Sequence, residues 1–296
     1  MHVAFVTSEM VPYVKTGGLA DVSGALPKAL VRLGHRVTVV LPRYRPVAFP
    51  PGDFAGSVHV PVDSQSRSAG FYRQEREDGV QVVFVEHPPF FDRDALYGDY
   101  GDNSLRFAFL ARAALEYFRS RAERPDVFHA HDWQTGLLPV YLETVFRDLP
   151  QYADVASVFT VHNLAYQGVF WHYDLPLTGL GWDLFTPAGL EFYGHLSFLK
   201  GGLVFSDLLT TVSPTYAREI QTAEHGERLD GVLRERSADL VGILNGLDVE
   251  AWDPATDAEI PKRFDRDDPG GKAVCTAALR AECGLPAPAG RRPLVA

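Results

Sequence analysis

Several short stretches hold residues whose types and spacing could do chemistry. The first is Lys15-Thr16-Gly17-Gly18-Leu19, placed between the apolar run Val3-Ala4-Phe5-Val6 and a helical pattern. Glycines accept positive φ and let the backbone approach a ligand. The N-terminus of the helix that follows exposes free N–H groups and carries roughly half a positive charge. Lys15 adds a full charge, and the sum is an anion site at the carboxyl end of a strand. The same residues also fit a glycine turn with a surface lysine. Only five of the 28 basic residues are lysines, so a lysine at this place carries more weight than usual. The spacing is not Gly-x-Gly-x-x-Gly, which argues against an NAD-dependent oxidoreductase, and no Gly-Lys-Ser/Thr follows as in a Walker loop.

Two further stretches end apolar runs with polar side chains. His162-Asn163 follows Phe159-Thr160-Val161, and His131-Asp132-Trp133 follows Val127-Phe128-His129-Ala130. A histidine at a strand end is often structural, and Asp132 fits a helix N-cap before Trp133-Gln134-Thr135. A ligand-binding carboxylate in a cleft is the functional alternative for Asp132. Asn245-Gly246, after Val241-Gly242-Ile243-Leu244, has the composition of a tight turn. Tyr97 in Leu96-Tyr97-Gly98-Asp99 either stacks on a ligand ring or packs on its neighbours, and Asp21 either caps the first helix or lines a cleft.

Short β-branched runs alternating with longer helical periods position these residues. Strands are expected at 3–6, 37–41, 80–85, 127–130, 157–161, 208–212 and 240–244. Helices are expected over 104–121, 135–146, 197–205, 215–220 and 271–282, with a first one whose apolar face is Leu19, Val22, Leu26, Leu30 and Leu33, ended by Gly34. The doubly apolar strands imply a parallel sheet covered on both faces, a Rossmann-like doubly wound α/β fold. Residues 46–79 read as an inserted hairpin or loop. Ser213-Pro214-Thr215-Tyr216 reads as a helix start with proline in its first turn. Residues 1–250 form one expected domain. Residues 251–296 are a linker and the start of a second one, because Pro293-Leu294-Val295-Ala296 looks like a strand just beginning.

Composition narrows the classes. Of 296 residues 46% are hydrophobic, enough for a large α/β core, and the net charge of −10 argues against nucleic-acid and membrane-surface partners. The first nine residues lack the basic region of a signal peptide, and no run of 18 apolar residues exists. Cys275 and Cys283 lie eight residues apart on one expected helix. That is roughly 12 Å, beyond the about 7 Å that a disulfide spans. A reducing cytoplasmic setting without structural zinc follows.

The Lys-Thr-Gly-Gly-Leu-Ala-Asp-Val stretch, with Ser8-Glu9-Met10 before it and Gly24-Ala25-Leu26-Pro27 after it, resembles the signature of bacterial glycogen synthases and plant starch synthases. The resemblance continues through His129-Ala130-His131-Asp132-Trp133, then Phe159 to Gly168, Ser197 to Lys200, Val212 to Ile220 and Leu244 to Asp248, in order, over nearly the whole chain. Gln134 departs from members that carry a second histidine there. The resemblance implies the N-terminal, acceptor-side domain of a two-domain GT-B enzyme. That enzyme would transfer glucose with retention from ADP-glucose to the non-reducing 4-hydroxyl of an α-1,4-glucan. By resemblance His162 lies beside the transferred glucose with its main-chain carbonyl facing the anomeric carbon, and Asn163 and Asn245 hydrogen-bond the sugar. Asp132 binds in the acceptor cleft, and Lys15 with the Gly17-Gly18 backbone holds the diphosphate. Tyr97 and Asp21 are further substrate-binding candidates. No metal and no cofactor beyond the sugar-nucleotide substrate is implied. The family's second domain supplies an Arg, a Lys and a Glu-x₇-Glu pair that cannot be located here, so the chain alone is expected to be inactive. Another GT-B enzyme such as a sucrose synthase, and a noncatalytic glucan-binding half-enzyme, are the rival expectations.

Overall fold

The computed structural model describes residues 1–47, 52–63, 65–121, 123–286 and 294. Its contacts divide into two units, Met1–Asn245 and Gly246–Ala296. The first is built on a nine-stranded sheet. β1 (His2–Val6), fully buried, pairs in parallel with β2 (Arg36–Pro42), Val3 opposite Val37. β3 (Asp53–Val62) and β4 (Gln65–Glu75) form an antiparallel hairpin, and β5 (Gln81–Glu86) joins it to β2. On the other side of β1 lie β6 (Val127–His131) and β7 (Ala156–Val161).

Three antiparallel strands, β8 (Val169–Trp171), β9 (Glu191–Phe192) and β10 (His195–Ser197), stand apart as a small sheet in the order β8-β10-β9. Neither this sheet nor the 3₁₀ turns at His172–Thr178 and Trp182–Leu184 follow from the sequence pattern, because strands of two or three residues show no periodicity. The large sheet closes with β11 (Leu208–Thr211) and β12 (Leu240–Gly242), in the order β12-β11-β7-β6-β1-β2-β5-β4-β3. All pairs from β12 to β5 are parallel, so the inserted segment adds an antiparallel edge to a doubly wound sheet. The chain leaves β1 toward β2 and later returns to β6 on the opposite side. That reversal opens a crevice at the carboxyl ends of β1 and β6.

α1 (Gly18–Arg32) follows β1. Its buried stripe is Leu19, Ala20, Ser23, Gly24 and Pro27, and Leu33 is 74% exposed, so the expected leucine face is displaced. Small residues bring this helix close to the sheet while Leu26 and Leu30 cover the margin. After the single turn α2 (Pro88–Phe91), α3 (Asn103–Ser120) is buried almost along its whole length, including Arg106 and Glu116. The expected helix over 135–146 is three pieces: a 3₁₀ turn at Trp133–Thr135, α4 (Leu137–Tyr141) and a π turn at Leu142–Phe146. α5 (Phe198–Phe205) and α6 (Pro214–Glu219) start at Ser197 and Ser213, whose hydroxyls accept the N–H groups of Lys200 and Tyr216. α7 (Asp230–Glu235) precedes β12.

In the second unit, α8 (Gly271–Glu282) lies where the apolar period places it, and Cys275 and Cys283 are free thiols. The strand expected at 293–296 lies outside the described residues, apart from Leu294. Among the described residues no helix is long and apolar enough to cross a membrane.

α5 crosses the Trp133–Thr135 turn at the closest approach in this part of the fold. A Cβ added to Gly136 would lie 2.1 Å from the Phe198 carbonyl oxygen. Both atoms belong to fixed backbone, so the clash cannot be relieved by a rotamer. We expect Gly136→Ala to destabilise the chain by about 1–3 kcal/mol, read as a lowered denaturation midpoint. Gly101→Ala, where a Cβ meets nothing within 4 Å, is the control and should leave it within error.

Candidate functional site

Two loops face each other at the carboxyl ends of β1, β6 and β7. The first, residues 7–17, is organised by Glu9. This side chain is 3% exposed, and its carboxylate accepts the Thr16 N–H (2.5 Å), the Gly17 N–H (3.2 Å) and the Thr16 hydroxyl (2.6 Å). Those bonds hold the Lys15-Thr16-Gly17-Gly18 segment against the start of α1. Gly17 has φ −152°, and Gly18 is not among the positive-φ residues, so the left-handed backbone expected of them is not used. The glycines serve clearance instead: a Cβ on either would point into open space in front of the loop. Lys15 Nζ sits 2.7 Å from Asp21 in the first turn of α1, with both side chains about half exposed. Asp21 therefore pairs with Lys15 and does not cap the helix, whose N-cap Gly17 has no side chain. An exposed pair of this kind is worth at most about 1 kcal/mol. A stronger anion can take Lys15 from it.

Tyr97 closes the loop from the side. Its hydroxyl donates to Glu9 (2.5 Å) and lies 2.9 Å from Ser8 Oγ, while its ring rests on Phe107 and Trp133. Of its two readings, the packed one is what the structure shows. Burial and the nearby Tyr44 and Glu9 raise the Tyr97 phenol well above its ordinary range. The buried Arg106 holds this stretch by donating to the carbonyls of Phe90, Leu96 and Tyr97. Glu9 and Arg106 are the main residues that sequence reasoning missed. Glu9 was visible only as part of a motif flank, and a buried arginine leaves no periodic signal.

The second loop is held by Asp132. Its carboxylate accepts the His162 N–H at 2.7 Å and also bonds the Asn163 N–H. Asp132 takes φ 55° and makes no side-chain cap, so the N-cap reading is corrected. Its main-chain carbonyl accepts from Thr135 N–H instead, leaving the carboxylate to turn toward β7. Asn163 is exposed, and its Oδ1 accepts the Ala165 N–H, while Tyr216 Oη accepts the Leu164 N–H. Beneath this loop three imidazoles form a column. His129 lies 4.1 Å from His131 between ring centroids, and His131 Nδ1 is 3.0 Å from His162 Nε2. His129 Nε2 meets Thr160 Oγ1 at 2.6 Å, and Phe5 stacks on His131.

Burial controls protonation here. Desolvation lowers His162 to about 4 and His129 to about 3, and holds His131 well below the usual histidine range. Asp132 is raised to about 7, chiefly by desolvation and less by Glu9, against the bonds from His162 and Asn163. Part of its surface reaches solvent, but protein atoms crowd the carboxyl group itself, and they decide its protonation.

A groove of about 540 Å³ runs beside these loops, lined by Asn103, Trp133, Tyr166, Phe170, Phe192 and Arg228 among others. Tyr166 is 66% exposed and follows the Asn163 turn directly. Asn245 lies apart. It is exposed three residues beyond β12, with no hydrogen bond to the other candidates, and the expected Asn-Gly turn is absent. Lys200 ties the 187–191 segment down by donating to the Pro187 and Glu191 carbonyls. Among the described residues no group of three or more His, Cys, Asp or Glu could hold a metal ion.

The column sets the acid response of the fold. Below pH 6.5 an unfolded chain charges these histidines, whereas the folded chain keeps them neutral down to about 4 at His162 and about 3 at His129. Unfolding therefore takes up protons, and stability falls as pH drops from 6.5 toward 4. Asp132 has the opposite sign, because it is protonated in the folded chain below about 7 and ionised in the unfolded chain down to 3.8. Three protons taken up less one released leaves about two. The melting temperature should rise between pH 4.5 and 6.5, more steeply in Asp132→Asn and less steeply in His129→Gln. A flat wild-type profile across that window would contradict the buried neutral column.

Known proteins are similar to this chain in sequence and in fold. A family model described as the starch synthase catalytic domain matches residues 2–235. The glycogen synthase of Koribacter versatilis is 50% identical over 291 residues, covering 97% of this chain and 60% of that protein. The glycogen synthase of Myxococcus xanthus is 48% identical, covering 97% of this chain and 62% of that one. The solved catalytic domain of starch synthase IV from Arabidopsis thaliana, bound to ADP and acarbose, superposes with a TM-score of 0.90. It is 35% identical and covers 99% of this chain and 61% of its own. The chain thus spans about 60% of the length of the curated relatives it matches.

Proposed function

This chain belongs to the starch synthase catalytic domain family, and from that premise we propose that it is the acceptor-side part of a retaining glucosyltransferase of GT-B fold. The reaction moves glucose from ADP-glucose to the non-reducing 4-hydroxyl of an α-1,4-glucan. The activity is proposed for a polypeptide of the relatives' full length, acting in the cytoplasm. The observation that carries this reading is the meeting of two differently charged loops at one sheet edge. One carries Lys15 and an open glycine backbone at a helix N-terminus. The other carries His162 and Asn163 beside an aromatic groove. The Arabidopsis neighbour is bound to ADP and acarbose, which supports a nucleotide and a glucan as the ligand classes.

In this reading Lys15 and the Gly18 N–H bind the diphosphate, and Gly17 leaves room for it. Asp21 releases Lys15 as the nucleotide enters. The glucan lies in the groove, against Trp133 and Tyr166. As the bond from C1 to the phosphate oxygen breaks, a bond from C1 to the acceptor O4 forms on the same face. The 4-hydroxyl proton passes to the departing diphosphate. The chain's own contribution is positioning and the stabilisation of charge. Asp132 fixes the main chain at His162 and Asn163, so the His162 carbonyl can present partial negative charge to C1. Asn163 and Asn245 contact the sugar hydroxyls.

Two kinetic outcomes test this in the full-length polypeptide. Lys15→Ala should lower kcat/KM by on the order of 30- to 1000-fold, the equivalent of about 2–4 kcal/mol of transition-state stabilisation. A change under about threefold in a folded variant would remove Lys15 from the diphosphate site. His162→Ala should lower kcat far more than it raises the donor KM, since its group acts where charge develops. A pure KM effect would make His162 a ground-state sugar contact, and glucan binding without any transfer by the wild type would favour a noncatalytic module.

A further inference from the structure

We infer that Glu9 couples nucleotide binding to glucan binding, acting as a positioning residue for both; this rests on the functional reading above. The carboxylate has room for about four hydrogen bonds, and four are made. Oε2 accepts the N–H groups of Thr16 and Gly17, and Oε1 accepts the hydroxyls of Thr16 and Tyr97. The Thr16 and Gly17 bonds fix the loop that presents Lys15 and Gly18. The Tyr97 bond fixes a ring whose centroid is 6.3 Å from that of Trp133, a wall of the groove. A carboxylate is rigid and planar, so a shift imposed on one oxygen is carried to the other.

The surroundings direct that motion. Arg106 donates to the Leu96 and Tyr97 carbonyls at 2.9 and 3.2 Å, which pins the Tyr97 main chain. The free end of the residue is its ring and hydroxyl, held by Glu9 and by Ser8. Ser8 and Glu9 belong to the same residue 7–17 segment as the loop. A glucan pressing on the Trp133 wall and a diphosphate at the start of α1 therefore bear on one buried side chain. Filling one site selects the Glu9 geometry that the other needs, and the coupling is reciprocal by linkage.

The test uses the full-length polypeptide, with ADP and maltohexaose as ligands in calorimetry, each alone and each in the presence of the other. In the wild type, saturating maltohexaose should tighten ADP by about fivefold or more, with the same factor in reverse. Tyr97→Phe keeps the ring beside Trp133 and deletes one of the four donors. It should weaken ADP alone by about three- to tenfold and reduce the coupling factor below about twofold. Glu9→Gln places an NH₂ where an acceptor is needed and should do the same; if it does not fold, Tyr97→Phe decides alone. A role confined to local packing would change maltohexaose affinity and leave ADP affinity and the coupling factor in place, and that result overturns the inference. So does a wild type that binds both ligands without coupling. A wild type that binds neither removes the functional reading itself, and this inference with it.

Discussion

Parallel pairing of β6 with β1 on one side and β7 on the other is the constraint from which the site follows. Val6 lies opposite Ala130, and Ala130 opposite Phe159. In parallel register all three strands end at the same edge, so the segments after Val6, His131 and Val161 must emerge together. The chain winds outward from β1 in both directions, so no helix crosses the edge between β1 and β6. A crevice opens there whatever the loops contain. The buried strands supply the cohesion, and the loops are free to carry polar chemistry.

Both loops meet the same difficulty and solve it alike. A loop next to a ligand must keep its shape without a ladder of partners, and its main-chain N–H groups are costly to leave unpaired. Glu9 collects the N–H groups of Thr16 and Gly17, and Asp132 collects those of His162 and Asn163. Each carboxylate belongs to the segment leaving one strand and orders residues that face the ligand. The device has an electrostatic consequence. Glu9 adds to the forces that raise Asp132 to about 7, so the edge resists holding a further full negative charge near β6. The cation Lys15 and the N-terminus of α1 lie at the other loop.

How much of this the sequence displayed depends on whether a residue's role is periodic or spatial. The parallel strands were legible because Val37 to Leu41 and Ser157 to Val161 are apolar on both faces. α3 and α8 were legible from their 3.6-residue period. The small β8-β10-β9 sheet was not, since its strands are too short to repeat. The broken helix over 133–146 was not, because α5 dictates it from outside through the contact at Gly136. Among site residues, Lys15, His162 and Asp132 stood out by following strands. Their partners did not: Glu9 and Tyr97 are 88 residues apart, and only the fold brings them to 2.5 Å. Asp132 was legible as a helix cap or a cleft carboxylate, because a cap and a loop anchor call for the same residue type, and the structure shows no cap bond. Its φ of 55° is what separates the two.

Burial of the imidazole column bears on the proposed function as well as on the acid response of the fold. A transition state with oxocarbenium character places positive charge on the sugar ring, and a cationic imidazolium beside it would oppose that charge. His162 follows β7 directly and meets His131 through its Nε2, so the column's protonation bears on the field at the loop. Desolvation keeps all three rings neutral through the physiological range. With His162 neutral, the partial negative charge of its main-chain carbonyl acts unopposed. Asp132 holds that carbonyl's peptide unit by accepting the Asn163 N–H, and the unit before it by accepting the His162 N–H. The acid sensitivity that three buried neutral histidines impose on the fold is thus the thermodynamic counterpart of the neutral field that the proposed transfer would use.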